Sequence, residues 1–334
     1  MKFAFLILSV IFASSSIFAA EAKEIKWIIN HYPQTYFIDA ANKMNEVLQK
    51  ESSDLVIKPI FDKNVSWEIE KKYPMTRYQV RGGAYEMGQV YTFYLTDFQP
   101  ELKLFDLPFI FESHEHFSNV VEGDLFKKFT DKLSNFDLVP LAFTYSGGMA
   151  AVPANKKITT IEDFKGVKYK AWEHEVNQSL HFNLATKIIN PAGYRNENIF
   201  PLQKMMQAEA VDAGDCEIIE LKNLKGIKNI NYNLLNHRML STLIVFNKSF
   251  YDTLTEKQKA DLQKAVKIAA KFERDQIAAD ESKVIEELKK EGFPIHRPTS
   301  KELSSLKKGM KTIYQKFESN IGKDLINKVQ KLKK

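Results

Sequence analysis

The sequence predicts an α/β protein of two lobes packed by long C-terminal helices. Three observations carry that prediction. Near the N-terminus, β-rich runs alternate with a helical period. A second set of β-rich runs begins after Ser146-Gly147-Gly148. From Thr255 onward the pattern is that of long helices. Strands alternating with helices, then long helices, describe a sheet whose faces are covered by helical layers.

The elements follow in order. Ile25-Lys26-Trp27-Ile28-Ile29 is short and β-rich, a first strand. Tyr36–Gln49 places Phe37, Ala40, Met44, Val47 and Leu48 at helical spacing. Leu55–Phe61 reads as a second strand, and Tyr85–Tyr91, after Gly82-Gly83, as a third. Pro100–Ser113 is an apolar connector. Pro108 lacks a backbone N–H and fixes its own φ, so this run is no uninterrupted central strand. Ser113 caps a helix predicted over His114–Lys132. Strands are predicted at Leu138–Tyr145, Ala150–Pro153 and Val167–Trp172, and helices at Glu175–Lys187 and Phe200–Glu209. Val211 opens a strand, and Leu240–Asn247 is another. Thr255 caps a helix whose apolar face carries Leu262, Ala265, Val266 and Ala269, running to Lys290 before Gly292-Phe293-Pro294. A further helix fills Lys301–Lys331. No internal repeat or low-complexity linker interrupts this order.

With 334 residues the chain can bury large cores, and 27% charged residues against 44% hydrophobic is globular rather than disordered composition. Residues 1–22 read as a signal peptide. Lys2 is a minimal positive region, Phe3–Phe12 is an apolar core too short to span a bilayer, and Ala20-Glu21-Ala22 offers a cleavage site, with one nearer Ala19 as the alternative. The mature protein is therefore expected to be exported, periplasmic and soluble. The single cysteine, Cys216, permits no internal disulfide. The net charge of +6 comes with interleaved acids, a solvated-surface pattern, and an exported protein has little occasion to meet nucleic acid.

Catalytic motifs find no support. There is no phosphate-binding glycine loop and no Gly-x-Ser-x-Gly elbow. His114 and His116 stand two apart, which puts them on different faces of a helix, and the other histidines lack ligand spacing. A lone cysteine such as Cys216 is more often a small buried hydrophobe than a nucleophile. No enzyme activity, cofactor or metal is expected.

Several stretches carry a family resemblance. Pro100-Glu101-Leu102, Leu104-Phe105-Asp106-Leu107-Pro108-Phe109-Ile110-Phe111 and Glu115-His116 form one signature. Gly83-Ala84 with Met87-Gly88-Gln89-Val90, Ile161–Lys168, Met205-Met206-Gln207 to Val211-Asp212, and Asn247-Lys248-Ser249-Phe250 follow in matching order. Together they resemble the periplasmic solute-binding proteins of TRAP transporters, of the dicarboxylate-binding (DctP-like) type. The resemblance spans essentially the whole mature chain.

It implies a two-lobed periplasmic binding protein fold with a ligand cleft between the lobes and long C-terminal helices bracing both. The expected division is 23–145 mainly lobe 1, 146–240 mainly lobe 2, and 241–334 a crossover strand and helices completing both. The implied function is delivery of a small organic solute to the membrane permease subunits of a TRAP transporter, by a monomeric receptor. A receptor feeding a membrane signalling protein is the alternative, and an exported enzyme using Cys216 a third reading.

The sequence departs from the family at its ligand contacts. The bidentate arginine expected two residues after the lysine of the Lys165–Lys168 turn is Lys170. A second arginine falls near Met149, and an asparagine falls at Cys216. Lysine keeps the charge and loses the planar fork. The expected ligand-binding residues are thus Lys170 and Trp172 on one strand face, Asp215, Cys216 and Met149, with Tyr91 and Tyr145 as aromatic walls. His31 and Tyr32 stand where the first ligand-facing loop is implied, although Pro33 equally explains them as a turn. Rings and carboxylates suit a cationic, zwitterionic or aromatic solute. A carboxylate held by Lys170 alone is the competing expectation.

Overall fold

The two β-rich sets of the sequence form two halves of one strongly crossed sheet. The computed structural model describes residues 22–29, 34–61, 75–171, 174–189 and 201–332. Residues 1–21 of the expected signal segment, His31, Tyr32 and Trp172 lie outside the described residues. In the first half are β1 (Lys23–Ile28), α1 (Gln34–Lys50), β2 (Leu55–Ile60), α2 (Met75–Arg81) and β3 (Met87–Tyr91). β1 lies between β2 and β3, parallel to both. Pro59 is tolerated because β2 is an edge strand.

The connector at Pro100–Asp106 is a 3-10 turn, and Leu107, Ile110 and Phe111 behind it are buried. Phe109 adopts a positive φ of 61° and donates its N–H to the His237 carbonyl at 2.7 Å. Tyr314 Oη donates to the Pro108 carbonyl at 2.9 Å. This run is therefore a structural joint. Ser113 caps α3 (His114–Glu122) as expected, accepting from the His116 N–H at 3.0 Å. The helix ends at Gly123, well short of the predicted Lys132; two short 3-10 turns fill the remainder.

The two strands expected on either side of Gly147-Gly148 are one strand, β4 (Leu138–Ala154). Both glycines take positive φ, which bends the strand without ending its pairing. In chain order come β5 (Lys168–Lys170), α4 (Glu175–Asn183), β6 (Lys187–Ile188), α5 (Pro201–Gln207), β7 (Ala213–Gly214), β8 (Cys216–Glu217), β9 (Asn231–Asn233), β10 (Met239–Asn247), α6 (Lys248–Asp252), α7 (Glu256–Lys290), β11 (Ile295–His296), α8 (Ser300–Gly309), α9 (Lys311–Ile321) and α10 (Lys323–Lys331). The sheet order is β2-β1-β3-β10-β4-β7-β5-β6. From Leu138 to Tyr145, β4 pairs with β10; from Ala150 to Ala154 it pairs with β8, β9 and β7. One strand therefore crosses from the first sheet half into the second.

Helix α7 has 35 residues and so is about 52 Å long. Thr255 and Gln258 close a capping box at its start. Leu262, Ala265, Val266 and Ala269 pack into the first core with Phe37, Met44 and Trp27. Ile277, Val284, Ile285 and Leu288 belong to the second, larger core. A single helix thus braces both halves. The region predicted as one helix over Lys301–Lys331 is three, broken at Met310 and at Gly322, whose φ is +94°.

Candidate functional site

The strand ends of the second sheet half converge on a buried knot of charge. β5 and β7 run parallel, with Lys170 beside Gly214. The glycine permits that approach, since a Cβ there would stand 3.1 Å from Lys170 Cβ and 2.6 Å from Leu202 Cδ1. Asp215 and Glu217 follow on the next turn and strand. Arg238 arrives from the segment that opens β10. All four are at least nine-tenths buried.

Asp215 is the centre of this knot. Its Oδ1 accepts from Tyr169 Oη at 2.8 Å and lies 3.0 Å from His237 Nε2; Oδ2 lies 3.4 Å from Arg238 Nε. Glu217 Oε1 stands 3.4 Å from Arg238 Nη2. Burial alone raises a carboxyl, but Arg238 and His237 hold Asp215 well below the usual carboxylate range. For Arg238 the burial penalty is likewise outweighed, by Asp215 and Glu217, and its affinity for the proton rises. Burial draws the Lys170 ammonium below the ordinary lysine value, against the pull of Glu217 and Asp215.

An aromatic stack comes from the other sheet half. Tyr91, the last residue of β3, stacks on Phe93 at 5.1 Å between ring centroids. Phe93 in turn stacks on His174 at 4.7 Å, joining the two halves ring to ring. His174 Nε2 lies 3.7 Å from Asp106 Oδ1. Burial pushes Asp106 up to about 7, with Arg238 opposing, and pulls His174 down to about 3. Lys103 pairs with Glu175 at 2.6 Å beside this contact.

The predicted site residues therefore separate into groups. Lys170, Asp215 and Cys216 come together. Cys216 is fully buried, its Sγ 3.4 Å from the Glu217 carbonyl, and burial raises its thiol well above the ordinary value, which disfavours a thiolate nucleophile. Tyr91 sits in the aromatic wall. Tyr145 and Met149 lie instead at the bend of β4. Tyr145 Oη is 2.6 Å from His114 Nδ1 and donates to the Arg274 carbonyl at 3.0 Å. The Met149 N–H donates to Glu281 Oε1 at 2.6 Å, and Glu281 Oε2 meets His114 Nε2 at 2.8 Å. These contacts tie α7 to the two-glycine bend. Trp172, His31 and Tyr32 are outside the described residues. Among those residues no group of acids, histidines and cysteine is arranged to hold a metal ion, and no helix is long and apolar enough to cross a membrane.

Arg238 is the residue that sequence reasoning missed. Its signal was present: an arginine in Leu234–Leu240, which is otherwise mostly apolar and leads straight into a fully buried strand.

Two sheet halves joined through one bent strand, braced by a common helix and meeting over a buried ionic site, define a two-lobed solute receptor. The chain belongs to the bacterial extracellular solute-binding protein family 7, DctP, whose pattern matches residues 30–320. It is an extracytoplasmic solute receptor of the TRAP-transporter type. It is 23% identical over 232 residues to the sialic acid-binding periplasmic protein SiaP of Vibrio cholerae, covering 69% of each chain. It is 23% identical over 247 residues to the C4-dicarboxylate-binding periplasmic protein DctP of Rhodobacter capsulatus, covering 69% of this chain and 68% of that one. The crystal structure of a TRAP periplasmic solute-binding protein from Ochrobactrum anthropi superimposes with a TM-score of 0.81 at 20% identity, covering 92% of this chain and 94% of that chain.

Proposed function

We propose that this receptor closes over a small organic acid whose carboxylate meets the cationic pair Lys170 and Arg238, and then presents it to the membrane subunits of a TRAP permease. The observation that carries this reading is the burial of those two cations at the strand ends of the second sheet half, beside Asp215 and Glu217. Two of the family relatives are named for acids, sialic acid and C4-dicarboxylates. In this reading Arg238 supplies the guanidinium that position 170 lacks. The lobes divide near Tyr145 and Ser146, residues 1–22 direct export and are removed, and the receptor acts as a monomer.

The mechanism is differential binding. A solute touching both lobes favours the closed form, and the closed form is what a permease can recognise. The bent segment of β4 and the brace α7 let the halves move as bodies about Gly147-Gly148. No covalent step is required.

Lys170→Ala is expected to weaken solute binding tenfold or more, read on protein shown by circular dichroism to be folded, since the substitution also leaves Glu217 and Asp215 less compensated. Titration calorimetry against the tightest acid found by a thermal-shift screen measures it. Unchanged affinity would remove Lys170 from the site.

A further inference from the structure

We infer that the solute is a zwitterion, its carboxylate facing Lys170 and Arg238 and its ammonium facing Glu217 and Asp106. This inference rests on the binding site proposed above and specifies what that site accepts. Among the described residues of the ionic knot, the cations are Lys170 and Arg238. The acids are Asp215 and Glu217, with Asp106, raised to about 7, beside them and His237 3.0 Å from Asp215. The knot therefore offers no excess of positive charge. A dicarboxylate buried there would bring two further negative charges against cations already facing two carboxylates. Buried charge is tolerated only where it is compensated, so such a solute is disfavoured.

A second, independent observation concerns acceptors. Asp106 is more than nine-tenths buried, and its Oδ2 has no hydrogen-bond partner. It stands at the interlobe contact, with His174 3.7 Å from its other oxygen. A carboxyl oxygen buried without a donor is costly unless something supplies one. An ammonium supplies up to three N–H donors and is a compact charge. Asp215 is engaged within its own lobe: Tyr169 and His237 meet its Oδ1, and its Oδ2, which has no hydrogen-bond partner, faces Arg238 Nε at 3.4 Å. The Tyr91–Phe93–His174 stack reaches Asp106 through His174. The set is a carboxylate-binding pair with an acidic, aromatic neighbour, the arrangement an amino acid or related zwitterion requires.

The test uses the exported chain without its first 22 residues and a matched four-carbon series: succinate, butyrate, 4-aminobutyrate and 1,4-diaminobutane, together with the standard amino acids. Thermal shift and calorimetry are run on wild type, Lys170→Ala and Glu217→Gln. A rise of several degrees with one or more zwitterions, larger than with succinate or butyrate, is expected. Lys170→Ala should abolish it, and Glu217→Gln should move the preference toward the plain carboxylate by about tenfold. A succinate shift that Lys170→Ala abolishes overturns the zwitterion and keeps the site. A zwitterion shift untouched by Lys170→Ala overturns the site itself. No shift with any zwitterion also overturns the inference.

Discussion

Glu273 offers a sharp test of how the brace is built. It lies on α7, fully buried, where Oε1 accepts from Thr144 Oγ1 at 2.9 Å and Gln89 Nε2 at 3.3 Å, and Oε2 has no hydrogen-bond partner. Burial pushes its carboxyl up to about 8 from an ordinary 4.5, with the two hydrogen bonds opposing. Between these values the native chain holds a proton that the unfolded chain has lost. Stability from this residue is therefore complete below pH 4.5 and falls as pH rises to about 8, by about 1.4 kcal/mol per pH unit. Over the whole window the loss is about 5 kcal/mol. Glu273→Gln keeps an acceptor for Thr144 and Gln89 and removes the titration. Its stability relative to wild type should climb with pH across that window, whatever constant offset the new amide adds. Urea unfolding of both proteins at pH 5, 6, 7 and 8 measures the difference, in which the other titrating groups cancel. Parallel stability curves would refute the reasoning, because they would mean Glu273 is ionised in the native state throughout.

Two further substitutions probe the frame. Gly148→Ala forces a side chain onto a φ of +79°, 2.9 Å from Ile277 Cγ2 and against the Glu281 carboxylate that holds the Met149 N–H. Left-handed backbone costs roughly 1–2 kcal/mol and a disturbed charged hydrogen bond roughly 1.5–3, so a loss of about 3–5 kcal/mol is expected in chemical unfolding; a loss under about 1 kcal/mol counts against a tightly packed bend. Thr255→Ala removes the cap that accepts from the Gln258 N–H at 3.2 Å and should cost about 1 kcal/mol in the same assay, with solute affinity unchanged; no loss would mean the end of α7 frays without effect.

The fold was legible where local signals are strong. The capping box at Thr255, the apolar stripe Leu262–Ala269 and the stop at Gly292 announced α7 almost to the residue, because each is set by neighbours within a turn. Ser113 announced α3 for the same reason. The end of α3 was misread because apolar residues recur at helical spacing past Gly123 while the chain turns in 3-10 fashion to bury Phe129 and Leu133. Gly147-Gly148 looked like a strand end, since glycine usually marks one; only tertiary pairing on both sides keeps β4 continuous. The site was half legible. Lys170 and Cys216 were reached through the family pattern and Asp215 as the neighbour of Cys216, whereas Arg238 comes from another strand and meets them only in three dimensions. Tyr145 was assigned to the wall by composition, but its hydroxyl serves the bend.

The ionic knot also bears on how closure is controlled. Lys170, Asp215, Glu217 and Arg238 all belong to strand ends of the second sheet half, while Tyr91 and Phe93 come from the first. In the proposed cycle, separating the halves returns water to the knot, and joining them removes it. Dehydrating ions costs several kcal/mol each unless partners replace the water. Tyr169 and His237 meet Asp215 Oδ1, and Arg238 stands 3.4 Å from Asp215 Oδ2 and from Glu217 Oε1. Taking a receptor from 1:99 to 99:1 closed requires about 5.5 kcal/mol of differential affinity. A solute whose own charges complement the knot supplies that difference where a like-sized apolar one cannot. If the proposed site is right, the same burial makes closure conditional on the solute.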